Sequence, residues 1–250
     1  MNDFLNFQDK HILVDGAGMG MGRETAIQLS KLGAKVSLID LDNNALQETL
    51  SLMTGDSHQA VTCNLGELSA IEGVVKGIVE KNGAIDGFVH CVGLRCKRPL
   101  KLVTPEVWQG VFNVNLGSFY ELLRQITRKR NFNPGLSVVA ISSMSAKTGG
   151  AGISVYASSK AAIDGAIRSL ALELASKKIR INSVMPGQIN TPAYAQYLAT
   201  VGGVDKVMER QYLGLGEAED VVNMILFLLS ERSRMITGAA IPLDGGYMTS

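Results

Sequence analysis

A short run of β-branched and apolar residues followed by a longer helical pattern recurs along this chain, and that rhythm constrains its fold more than any other feature. His11-Ile12-Leu13-Val14 reads as a strand, followed by a Gly-rich turn and a helix from about Gly20 to Leu32, which Gly33 stops. Lys35–Asp40 is the next strand, before a helix over Asn43–Met53 and a strand near Gln59–Thr62. Helix Glu67–Asn82, strand Gly87–Cys91, helix Pro105–Arg130 and strand Leu136–Ile141 continue the alternation. The long helix Val155–Lys177 leads into strand Arg180–Val184, and helix Ala218–Leu229 precedes a last strand at Ala239–Pro242. Strands this apolar, alternating with helices, belong in a parallel sheet covered on both faces. The pattern predicts an α/β fold: a doubly wound parallel sheet of about seven strands, filling residues 1–250 as one domain. Ligands of such a sheet bind outside the carboxyl ends of its strands.

Composition removes several other classes. Hydrophobic residues at 46% and charged ones at 19% exclude a disordered chain. Lys and Arg number 24 against 23 Asp and Glu, so the chain lacks the basic excess of a general nucleic-acid binder. The polar, acidic start from Met1 to Lys10 does not read as a signal peptide. The apolar stretch Val221–Leu229, broken by Asn223, is about half the length of a membrane span. Cys63, Cys91 and Cys96 have no metal-ligand spacing and read as free thiols in a reducing, cytoplasmic compartment. His11, His58 and His90 are scattered, so no metal is expected.

The turn after the first strand reads Gly16-Ala17-Gly18-Met19-Gly20-Met21-Gly22. A strand, a Gly-rich turn and a helix N-terminus make a pyrophosphate site, because free backbone N–H groups and the positive end of the helix dipole face the anion. The second strand ends in Asp40. A carboxylate there accepts hydrogen bonds from the hydroxyls of an adenosine ribose and repels a 2′-phosphate, so it argues for NAD(H) over NADP(H). Asp42 nearby is the competing turn carboxylate. Further along, Tyr156 and Lys160 stand four apart, on one face of a helix. An ammonium beside a phenol favours the phenolate and makes the tyrosine usable as a general acid or base.

These pieces resemble the short-chain dehydrogenase/reductase family, in its compact single-domain branch with a Rossmann fold, over essentially the full chain. The motifs are Gly16-x-x-x-Gly20-x-Gly22, Asn113-Val114-Asn115, Ile141-Ser142-Ser143, Tyr156-x-x-x-Lys160, Pro186-Gly187-Gln188-Ile189-Asn190-Thr191 and Leu243-Asp244-Gly245-Gly246, in the family's order and spacing. The resemblance implies that Tyr156 exchanges a proton with the substrate oxygen and that Ser143, rather than Ser142, orients it. Lys160 then binds the nicotinamide ribose and lowers the tyrosine pKa, while Asn115 holds a water of a proton relay. For the cofactor, NAD, it implies Gly16, Gly18, Met19, Gly20, Met21, Gly22, Asp40 and Leu41 at the nucleotide end, with Asn64 and Leu65 beside the adenine. Val92, Gly93, Tyr156, Lys160, Pro186, Gly187, Ile189 and Thr191 complete that set toward the nicotinamide. Arg95, Ser143 and Tyr194 are the implied substrate contacts, under a lid at about residues 190–213 that also carries Tyr197 and Tyr212.

Two departures from the family sit together. Asp15 stands where Thr is usual, and His90-Cys91-Val92-Gly93 replaces Asn-Asn-Ala-Gly. Asp15 is expected to accept hydrogen bonds from backbone N–H groups around Cys91 to Gly93, since a buried carboxylate needs partners. The leading functional reading is an NAD-dependent oxidoreductase that interconverts a secondary alcohol and a ketone, an acidic one if the basic loop from Arg95 to Lys101 meets the substrate. The alternatives are an NADPH-dependent 3-oxoacyl-thioester reductase, docking its acidic carrier on Arg128-Lys129-Arg130, and a non-catalytic NAD-binding subunit. A homotetramer is expected, because Ala157, Ala161, Ala162, Gly165, Ala166, Ala171 and Ala175 give the long helix a small-residue surface.

Overall fold

The computed structural model describes residues 5–200 and 209–249. Its centre is β1 (His11–Asp15), and the chain builds outward on one side through α1 (Gly20–Lys31), β2 (Lys35–Asp40), α2 (Asn43–Ser51) and β3 (Gln59–Thr62). It then returns through α3 (Ile71–Asn82) to β4 (Ile85–His90), which pairs with the other side of β1. From there run α4 (Pro105–Phe112), α5 (Ser118–Ile126), β5 (Phe132–Ile141), α6 (Ser145–Thr148), α7 (Ser154–Leu174) and β6 (Arg180–Pro186). A two-stranded side sheet follows, β7 (Ile189–Asn190) with β8 (Gly216–Glu217), and α8 (Pro192–Thr200) lies between them in sequence. Last come α9 (Ala218–Leu229) and β9 (Ala240–Leu243). The main sheet has seven strands in the order β3-β2-β1-β4-β5-β6-β9, all parallel. Strand order reverses between β1 and β4, and a crevice opens at the carboxyl ends of that pair.

Strand alternation divides the apolar residues between the two faces. Leu13, Phe88, Val138 and Ala140 point toward a core built with α3, α5 and α7. Their neighbours Ile12, Val14, Val89, Val139 and Ile141 point toward a second core under α1 and α9. Fully burying one such large side chain contributes about 1.5–3 kcal/mol, so the two cores together fix the sheet between its helical layers.

Several boundaries differ from the sequence pattern. The helix expected over Pro105–Arg130 is interrupted at Asn113–Gly117 by one π-helical turn and ends at Ile126. Apolar periodicity does not reveal this turn, because the buried residues Val111, Phe119, Leu122 and Ile126 keep helical spacing across it. On α7, Ala166 and Ala171 are buried against the sheet, and are therefore not part of an accessible small-residue surface as expected. Ala157, Ala161, Ala162, Gly165 and Ala175 retain exposure. Of the expected lid, residues 201–208 and the side chain of Tyr197 lie outside the described residues, and α8 forms where no regular element was expected.

Candidate active site

The nucleotide end is assembled by the turn between β1 and α1. Gly16 and Gly20 adopt φ of 62° and 56°, the left-handed region that suits glycine. A Cβ at Gly16 would come within 2.8 Å of the Val92 backbone nitrogen, so only glycine lets β1 and β4 approach this closely here. Met19 is the N-cap of α1 and makes no side-chain capping bond, which leaves the helix's first N–H groups for an external acceptor. Asp40 Oδ2 accepts from Gly18 N–H at 2.8 Å and Oδ1 from Asp42 N–H at 3.2 Å. Each oxygen keeps a further lone pair for a hydroxyl donor. The Asp42 side chain is turned away from this turn and caps α2, accepting from Asn44 and Ala45 N–H at 2.9 and 3.2 Å. Arg23 is held by the Gly18 carbonyl and by Glu48 at 2.8 Å. The donor set fits a dinucleotide whose ribose carries free hydroxyls, with backbone N–H groups for the phosphates and a carboxylate for the ribose.

At the other end, α7 carries Tyr156 and Lys160 one turn apart, facing Ser143 just after β5. Burial raises the Tyr156 phenol above its ordinary pKa, while a hydrogen bond with Ser143 and the positive charge of Arg95 pull it back down. Lys160 Nζ donates to the Ile141 carbonyl at 2.7 Å, and burial brings its pKa down to about 8. A Cβ on Gly93 would lie 3.0 Å from that nitrogen, so the glycine keeps space open over the lysine.

Asn115 lies in the π turn, fully buried, behind the wall of the site. Its Oδ1 accepts from Leu94 N–H at 2.7 Å, and its Nδ2 donates to Ser159 Oγ at 2.9 Å and to the Leu94 carbonyl at 3.2 Å. Asp15 behaves as its position demanded: Oδ1 accepts from the N–H groups of Cys91 and Val92 at 2.7 and 2.8 Å. Burial, first of all, pushes the Cys91 thiol far up, which disfavours its thiolate.

These residues meet in one cavity of about 520 Å³ along the carboxyl ends of the strands. Gly16, Met19, Gly20, Met21, Gly22, Asp40, Leu41, Asn64 and Leu65 line one part; Val92, Gly93, Pro186, Gly187, Ile189 and Thr191 line another. Ser143, Tyr156 and Lys160 join them, with Arg95 and Tyr194. Two expected contacts are absent from the wall: Gly18 is packed against Asp40, and Asn115 is shielded behind Leu94. The cavity also takes in Cys63, Gly66, Cys91, Leu94, Val114, Ile141, Ser142, Gln188 and Pro192. Most of these adjoin a motif residue, which is the signal that could have found them.

A family model described as "Enoyl-(Acyl carrier protein) reductase" matches residues 16–248. The chain is 34% identical to "Carbonyl reductase [NADPH] 2" of Sus scrofa, covering 98% of this chain and 99% of that one. It is 35% identical to "(3R)-3-hydroxyacyl-CoA dehydrogenase" of Canis lupus familiaris, covering 94% and 95%. Among solved structures, a putative short-chain alcohol dehydrogenase from Sinorhizobium meliloti 1021 superposes with a TM-score of 0.92 at 27% identity, covering 98% of each chain.

Proposed function

This chain belongs to the short-chain dehydrogenase/reductase family, and on that premise we propose that it is an NAD(H)-dependent oxidoreductase interconverting a secondary alcohol and a ketone. The observation that carries the reading is a single cavity in which the Gly-rich turn and Asp40 lie at one end and Ser143, Tyr156 and Lys160 at the other. The dinucleotide supplies or takes the hydride; the chain binds, orients and exchanges a proton. Gly16 to Gly22 would take the pyrophosphate, Asp40 the adenosine ribose, and Lys160 the nicotinamide ribose. In ketone reduction Tyr156, a phenol that is protonated at neutral pH, gives its proton to the substrate oxygen while Ser143 holds that oxygen in place. Arg95 and Tyr194 border the substrate. The domain spans residues 1–250, acts as a homotetramer, and resides in the cytoplasm, where three free cysteines stay reduced.

NAD is proposed although one relative carries NADPH in its name. A 2′-phosphate would meet the Asp40 carboxylate, and Arg23, the cation nearest in sequence to the turn, is already paired with Glu48. The second reading, a 3-oxoacyl-thioester reductase, draws on the hydroxyacyl-CoA relative. Its proposed carrier patch is weakened by the ion pair of Arg128 with Glu72 at 2.7 Å. Turnover with NADH and NADPH over a panel of ketones and 3-oxoacyl thioesters tests both. NADH is expected to be preferred by at least about tenfold in kcat/KM, since 1.4 kcal/mol already gives that factor. Asp40→Ala combined with Met19→Arg narrows or reverses the preference. An unmutated enzyme that prefers NADPH overturns the cofactor assignment.

A further inference from the structure

His90 has two buried neighbours of the same chemical kind. Its Nδ1 lies 2.6 Å from Asp15 Oδ2, and its Nε2 lies 3.2 Å from the backbone carbonyl of Asn115. Both partners are oxygen acceptors, and the His90 and Asp15 side chains are fully buried. The ring packs against both Phe88 and Phe119, with centroids 6.1 and 5.2 Å away, so its orientation is set by packing as well as by polar contacts. A chain of hydrogen bonds follows on either side. Asp15 Oδ1 holds the N–H groups of Cys91 and Val92, beside the first glycine of the nucleotide turn. The Asn115 side chain grips Leu94 and Ser159, and Ser159 Oγ donates to the Tyr156 carbonyl at 2.7 Å. One buried line therefore runs from the start of the nucleotide turn to the helix that bears the tyrosine.

We propose that Asp15 and His90 act as a positioning pair for the hydride-transfer site: one proton is held between Asp15 Oδ2 and His90 Nδ1, which orients the ring, and a second, on Nε2, is donated to the Asn115 carbonyl. The inference rests on the proposed oxidoreductase reading. A carbonyl oxygen has two lone pairs, and His90 takes one of them. The Asn115 carbonyl lies in the π turn at Asn113–Gly117, where the α-helical hydrogen-bond spacing is interrupted. A fully satisfied buried network is rigid, and its members act as a unit rather than additively. The two departures from the family's usual residues, Asp15 and His90, are the two halves of this one contact.

Turnover, NADH affinity and melting temperature of Asp15→Thr, His90→Phe and the double variant test the pair. Phenylalanine keeps a ring against Phe88 and Phe119 but donates nothing. Each single variant is expected to lower kcat at least tenfold on the best ketone of the panel, with the NADH Kd of His90→Phe within about threefold of wild type. The double variant is expected to be no more than about twofold worse than the poorer single one. A folded His90→Phe enzyme with kcat within twofold of wild type overturns the proposal, as do losses that multiply independently in the double variant. Nitrogen NMR of histidine-labelled wild-type protein with NAD⁺ covers the case where the variants do not fold. His90 Nε2 is expected to carry a proton protected from exchange, and an unprotonated Nε2 overturns the assignment. This measurement needs no turnover, and Tyr156→Phe serves as the control for the chemistry, so failure of the pair and failure of the oxidoreductase reading are separately visible.

Discussion

At Lys160, burial and function pull in opposite directions. The ammonium is almost fully buried, which brings its pKa from 10.5 down to about 8. Below pH 8 both the folded and the unfolded chain carry this proton, and the folded state bears the cost of burying the charge. Between about 8 and 10.5 only the unfolded chain binds it, so this group makes stability rise with pH, by at most about 1.4 kcal/mol per pH unit. Urea midpoints of the cofactor-free protein between pH 7.5 and 9.5 should show wild type gaining on Lys160→Met over that window; a difference that stays flat contradicts the shift. Tyr156 gives a kinetic counterpart. Replacing it by Phe keeps the ring and removes the proton, and general acid catalysis is worth about 10²–10⁴-fold, so kcat should fall by that range with NADH affinity retained. Ser143→Ala should likewise reduce kcat more than cofactor affinity, because its hydroxyl bonds to Tyr156 within the cavity.

Arg180 offers the complementary test at the scale of an element. It opens β6, and its guanidinium donates to the carbonyls of Leu228, Leu229, Ser230 and Ser233, closing the C-terminal end of α9. Removing it leaves several partly buried carbonyls without a donor and takes a cation from the negative end of the helix dipole. Arg180→Met should cost about 2–3 kcal/mol in denaturant unfolding, with the relative kcat/KM for NADH and NADPH unchanged. A shift in cofactor preference would mean that the end of α9 also sets the nucleotide turn, through the core that α9 shares with α1. The helix leading to Tyr120 teaches a different lesson. Its start at Pro105 followed from the sequence, yet its end at Ile126 fell short of the expected Arg130 and the π turn that buries Asn115 left no mark in the apolar spacing.

For the whole molecule, the proposed assembly would place a second copy over the accessible small residues of α7 and the exposed Leu172 of the same helix. Light scattering at micromolar concentration should return a tetramer mass, and a monomer would refute that assembly. Much of the rest was legible beforehand. Strand alternation, the glycines of the first turn and Asp40 at the end of β2 are local signals, because each depends on neighbours a few residues away. The alternation of strand and helix therefore determined the seven-stranded parallel sheet and the edge at which a ligand would sit. Only tertiary structure decided which groups tune one another there. The sequence paired Tyr156 with Lys160 because they are four apart; the fold adds Ser143 and Arg95 as influences on the phenol and turns Lys160 Nζ to the Ile141 carbonyl. Likewise Asp15 and His90 are remote in sequence and 2.6 Å apart in space. Protonation and hydrogen bonding depend on burial and on ångström-scale distance, and both are fixed only when strands distant along the chain are laid side by side.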